Sequence, residues 1–113
     1  MLVFEPDLIF SSRVENAASK SGLEAIVTIT IDELQRAVWA SVPEALLVNL
    51  DAFASTGWSL VESVRGRCRL IGYYSHVDSK LAAEALVRGF DEVVPRRTFV
   101  DKLSEILADL SSG

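Results

Sequence analysis

Apolar residues along this chain alternate between two spacings, short continuous runs and positions three or four apart, and each change of spacing predicts a change of element. Residues 1–4 form a continuous run. Asp7 then stands where it can cap a helix whose inward positions are Phe10, Val14, Ala17 and Ala18, and Gly22 ends that helix. Residues 25–29 are rich in β-branched side chains and predict the second strand. Thr30, followed three positions on by Glu33, has capping-box spacing and opens a helix burying Leu34, Ala37 and Val38, with Pro43 in its exit loop. The third strand, residues 45–50, is apolar except for Asn49. Gly57 begins a third helix with Leu60, Val61 and Val64 inward, and residues 69–73 follow as strand four. A fourth helix carries Leu81, Ala82, Ala85 and Leu86 on one face and is closed by Gly89. Val93 and Val94 mark the fifth strand, and Thr98 with Asp101 repeats the capping pattern ahead of a stripe formed by Phe99, Leu103, Ile106, Leu107 and Leu110.

Strands that are apolar throughout suit a parallel sheet covered by helices on both faces, and strict alternation with helices requires right-handed crossovers. The prediction is an α/β fold, a (βα)5 doubly wound five-stranded parallel sheet, in one domain spanning residues 1–113. In such sheets a ligand or reacting group sits beyond the carboxyl ends of the strands. That rule directs attention to residues 5–7, 49–53, 74–76 and 95–97.

Composition narrows the function. The chain has 113 residues, half of them hydrophobic, and a formal net charge of −5. Its eleven Lys and Arg are scattered, so no basic stripe is available for a phosphate backbone and direct nucleic-acid binding is not expected. One cysteine, Cys68, and one histidine, His76, give neither a zinc spacing nor a nucleophile pair, and Cys68 reads as buried packing. No apolar run approaches the ~20 residues of a membrane span, so the expectation is a cytoplasmic protein without a membrane association. No glycine-rich phosphate loop, metal cluster or nucleophile with a base is visible, so neither an enzyme nor a cofactor is expected.

The segment Pro43-Glu44-Ala45-Leu46-Leu47-Val48-Asn49-Leu50-Asp51, with Gly57 after a loop, resembles the receiver domain of two-component response regulators through its phosphorylated aspartate. Gly89-Phe90-Asp91-Glu92-Val93-Val94-Pro95-Arg96 is similar to the receiver segment that ends in a conserved-type lysine position. The resemblance implies a CheY-like, flavodoxin-like sheet of strand order 2-1-3-4-5. It also implies a pocket in which three carboxylates gather Mg²⁺ while a hydroxyl and a lysine bind a transferred phosphoryl group. On this alignment Asn49 stands at the acceptor position, and a carboxamide is a poor nucleophile beside a carboxylate. The acidic pair becomes Glu5 and Pro6, the hydroxyl position falls on Tyr74 with Ser75 next to it, and Arg96 replaces the lysine. The proline that normally follows becomes Arg97, and Val93 replaces the aromatic switch. The resemblance is thus to a pseudo-receiver with a degenerate phosphorylation pocket made of Glu5, Pro6, Asn49, Tyr74, Ser75 and Arg96.

Structural roles stand beside these. Asn49 is also read as a strand-end amide bonded to backbone, Glu5 and Arg96 as a salt bridge, and Asp7 as a helix cap before a metal ligand. Glu5, Asp7 and Asp51 are the weak metal candidates. Trp39 and Trp58 fit partial core burial or an interface equally well.

Three functional classes follow. The first is a phosphorylation-independent interaction module of two-component type regulation. It would dock a partner protein or a second copy on the face made by the fourth helix, fifth strand and fifth helix, around residues 77–88 and 98–110. The second is a degenerate phosphoreceiver using Asp51. The third is a switch phosphorylated at Ser55 or Thr56, because Ala54-Ser55-Thr56-Gly57 resembles the phosphorylated loop of anti-sigma-factor antagonists.

Overall fold

Five short strands pair in the order β2-β1-β3-β4-β5, every neighbouring pair parallel. They are β1 (Leu2–Phe4), β2 (Ile26–Thr28), β3 (Ala45–Asn49), β4 (Arg69–Tyr74) and β5 (Glu92–Pro95). The structure is a computed structural model and describes residues 1–53, 57–75 and 79–112. Between and after the strands lie α1 (Leu8–Lys20), α2 (Ile31–Ala40), α3 (Leu50–Phe53), α4 (Trp58–Val64), α5 (Ser79–Arg88), α6 (Arg96–Asp101) and α7 (Leu103–Ser111). The fold class and the strand order 2-1-3-4-5 are those expected from the sequence.

Strand periodicity divides the core into two layers, because successive side chains point to opposite faces. Leu2, Phe4, Leu46, Val48 and Leu70 face one way and pack against Leu34 and Val38 of α2, Leu60 and Val61 of α4, and Ala85 of α5. Val3, Leu47, Ile71 and Tyr73 face the other way, against Phe10, Val14 and Ala18 of α1, Phe99 of α6 and Leu103 and Leu107 of α7. Helices on both faces explain why the central strands carry no polar alternation.

Local signals set the starts of α1 and α2. The Asp7 carboxylate accepts from the amides of Ile9 and Phe10, and the Thr30 hydroxyl accepts from the Glu33 amide. Glu33 answers by accepting from Ile29, one residue before the cap. Gly22, at φ +77°, turns the chain out of α1 in the left-handed region open to glycine.

Three expectations need correction. Thr98 does not cap the last helix: Pro95, in extended backbone, precedes a helix that already begins at Arg96, so Thr98 lies inside its first turn. The expected single last helix is two, because the chain turns at Lys102 before α7. Leu86 is not inward but half exposed; it lies one helical step beyond Ala85, the buried centre of the α5 face. The short helix α3 was not expected. Trp58 is buried, in edge contact with Phe53 and Phe90, whereas Trp39 is 69% exposed. Cys68 is partly buried against the core, and burial, aided by Asp91, pushes its thiol up to about 11. Among the described residues, no helix is long and apolar enough to cross a membrane.

Gly72 is a closely packed point of the sheet. A Cβ there would stand 2.8 Å from Leu50 Cδ1 and 2.9 Å from Leu50 Cγ, and Leu50 is itself fully buried at the start of α3. Gly72→Ala is expected to lower stability by about 1–3 kcal/mol, the usual cost of overpacking, measured as a lower urea midpoint at unchanged m-value.

Candidate functional site

Register alone brings three polar side chains into one row. Phe4 is paired with Val48 and Asn49 with Tyr73, so Glu5, Asn49 and Tyr73 follow one another across the carboxyl ends of β1, β3 and β4. Val3, Leu47 and Tyr73 already face α1 and α6, and the two-residue period carries Glu5 and Asn49 to that same side.

Glu5 is 1% exposed, which for an isolated carboxylate carries a heavy desolvation penalty. Three groups compensate it. The Asn49 side-chain amide nitrogen donates to both carboxylate oxygens, at 3.1 Å to Oε1 and 3.0 Å to Oε2. The Tyr73 hydroxyl donates to Oε1 at 2.8 Å, and the Asp7 backbone amide donates to Oε2 at 3.0 Å. Among the described residues no buried side-chain nitrogen or oxygen lacks a hydrogen-bond partner.

Asn49 works in both directions. Its carbonyl oxygen accepts from the amides of Asp51, at 3.0 Å, and Ala52, at 3.4 Å, capping α3. The opposite orientation would aim the carbonyl at a carboxylate and the NH₂ group at backbone donors, so the surroundings fix the amide. The backbone bonding read from the sequence is present, and a bond to Glu5 accompanies it. Aspartate at 49 would keep the cap but present a second negative charge to Glu5.

An aromatic shelf covers this network. Tyr73 stacks on Phe99 at 4.3 Å between ring centroids, and Phe10 leans on both rings. Burial first, and the Glu5 carboxylate second, push the Tyr73 phenol far above its usual range. Tyr73 was not among the pocket residues singled out from the sequence; the signal available was its place two residues along the inward face from Ile71.

The expected Glu5–Arg96 salt bridge is corrected. Arg96 lies over the Phe10 ring, 4.0 Å from its centroid, with Nη2 3.8 Å from Asp7 Oδ2. Glu5 sits beneath the aromatic cover with its oxygens already bonded, whereas Asp7 is at the surface, where a guanidinium keeps its water. Asp51 lies apart from Glu5: its Oδ2 accepts from both the backbone amide and the hydroxyl of Ser75, each at 2.7 Å. Pro6 is exposed and its side chain supplies no donor or ligand. Tyr74 and Ser75 line a surface groove of about 570 Å³ with Pro95, Arg96 and Arg97. Ser55, Thr56 and His76 lie outside the described residues.

No protein-family model and no curated protein matches this chain. Solved structures do. A response regulator from Thermotoga maritima aligns with 99% of this chain and 96% of its own at a TM-score of 0.81 and 17% identity. The receiver domain of NtrX from Brucella abortus aligns with 98% of this chain and 97% of its own at 0.80 and 16% identity. The receiver domain of the Francisella response regulator 1452 aligns with 98% and 94% at 0.80 and 16%. Against the longer NtrX chain solved with ADP, this chain spans 26% of that chain's length. The fold is therefore the CheY-like receiver fold.

Receiver chemistry implies Mg²⁺, and the residues present do not fit it. Glu5 has its oxygens bonded to three donors, Pro6 offers no oxygen beyond its carbonyl, and Asn49 turns its NH₂ group toward Glu5. Among the described residues no group of three or more His, Cys, Asp or Glu is placed to hold a metal ion.

Asn49→Asp is expected to destabilise the fold by about 2–4 kcal/mol at pH 7, because it removes a donor from a buried carboxylate and adds a like charge. Two facing carboxylates share one proton more readily in the folded state, so the deficit relative to the parent should shrink as pH falls from 7 toward 4. Urea titrations of both proteins across that range check magnitude and sign.

Proposed function

We propose that this chain is a phosphorylation-independent receiver-like signalling module of two-component type regulation, without enzymatic activity of its own. The observation that carries the reading is the Asn49 carboxamide bonded at once to Glu5 and to the start of α3. A receiver needs a nucleophilic carboxylate at this position and a cation to offset the surrounding charge. Here the amide supplies neutrality and the donor without either. The degenerate pocket of Glu5, Pro6, Asn49, Tyr74, Ser75 and Arg96 then serves to hold one conformation of the top of the sheet. Output would pass through the face built by α5, β5, α6 and α7, presented to a partner protein or a second copy.

A second reading keeps the phosphoryl chemistry and moves it to Asp51. The contact that favours it is the Asp51–Ser75 pair, a carboxylate and a hydroxyl joined at the carboxyl edge of the sheet. Against it, Asp51 Oδ2 is already held by two donors, and among the described residues no carboxylate cluster accompanies it.

Incubation with acetyl phosphate and Mg²⁺, and separately with beryllofluoride, separates the two. The expected result is an unchanged intact mass and unchanged amide chemical shifts. A gain of one phosphoryl mass that is lost on acid treatment and maps to Asp51 would establish the second reading instead.

A further inference from the structure

We propose that the outer face of α2 pairs with the same face of a second copy of this chain, the two helices antiparallel about a two-fold axis level with position 34. The inner side of α2 is Leu34 and Val38, with Ile31 and Ala37 against the same layer. At about 100° per residue the opposite side carries Asp32, Arg36 and Trp39, all exposed. Trp39 is 69% exposed, and Ile29, just before the helix cap, is 40% exposed. An indole left this open removes a large apolar area from water once it is covered.

The order of chemistry along this stripe chooses what covers it. Toward the carboxyl end it runs Ile29, Asp32, Arg36, Trp39: apolar, acid, base, apolar. Positions 29 and 39 are equidistant from 34, as are 32 and 36. A two-fold contact between copies pairs residue i with j and j with i. An antiparallel copy therefore sets each Asp32 against the other copy's Arg36 and brings each Trp39 toward the other copy's Ile29. Among the described residues neither Asp32 nor Arg36 is in an ion pair; Arg36 Nε donates along its own helix to the Asp32 carbonyl at 3.3 Å. Glu33 lies on the flank, where its carboxylate accepts from the Ile29 amide. A partner segment of one sign would attract one of the two central charges and repel the other, whereas a second copy satisfies both. The helix packs on β1 and β2, at the sheet edge opposite β5, so the contact lies apart from the face proposed for output. With ten residues it offers a small interface, which makes the association weak and confined to high protein concentration.

Sedimentation and amide spectra recorded from about 20 µM to about 1 mM protein test this. The expected result is a monomer–dimer equilibrium in which the Trp39 indole hydrogen shifts with concentration. The indole of Trp58, buried against Phe53 and Phe90, should stay in place. Asp32→Arg and Arg36→Asp should each weaken dimerisation about tenfold, because each turns two attractive contacts into repulsive ones. An equimolar mixture of the two variants should recover the dimer to within about threefold of the parent, since opposite charges face each other again. Trp39→Ala should weaken it as well. All three side chains are exposed, so the variants should keep the parent fold, checked by the rest of the amide spectrum. A monomer throughout the range would overturn the proposal, as would a dimer that leaves the Trp39 indole unmoved. So would a mixture that associates no better than either variant alone.

Discussion

One amide holds the upper end of the sheet together. A carboxylate as enclosed as Glu5 persists only where donors replace its lost water, and Asn49 is the donor that reaches both of its oxygens. The same side chain caps α3, and α3 supplies Leu50 and Phe53 to the core above β4. Strand ends and helix start therefore share one polar residue, and the aromatic cover joins them through Glu5. Where a receiver balances acidic groups with a metal ion, this chain balances one acidic group with a neutral amide.

That substitution underlies the proposed change in what the pocket is for. A site that gathers charge can be switched by adding or removing a phosphoryl group, because its energy depends strongly on net charge. A single carboxylate whose oxygens are already hydrogen-bonded presents no such cluster of like charges. In the proposed reading its contribution is rigidity at the end of β4 and the start of α6, where Tyr73 stacks on Phe99.

The scaffold was legible because its signals are local and repeat. Short apolar or β-branched runs marked all five strands, while Asp7 and Thr30 announced their helices through side chains that do cap them. What went unread depends on neighbours far along the chain. The α3 turn is held partly by Asn49, whose capping role depends on where its amide points. The position of Leu86 turns on a single 100° step around α5. Thr98 and Asp101 carry a capping pattern that Pro95 overrides by starting α6 three residues earlier. At the site, alignment to the receiver pattern singled out Glu5 and Asn49, but their bond, 44 residues apart in sequence, required the register of β1 against β3. Tyr73 was hidden for the same reason, since its hydroxyl meets a carboxylate 68 residues away. The salt bridge assigned to Glu5 and Arg96 failed because opposite charge says nothing about depth.

The side-chain amide of Asn49 can be observed directly in a ¹⁵N-labelled sample while Mg²⁺ is added to millimolar levels. The account predicts two well-separated, slowly exchanging Nδ2 hydrogens, coupled across hydrogen bonds to the Glu5 carboxylate and unmoved by the metal. Rapid exchange of those hydrogens, or their loss as Mg²⁺ saturates the site, would contradict it.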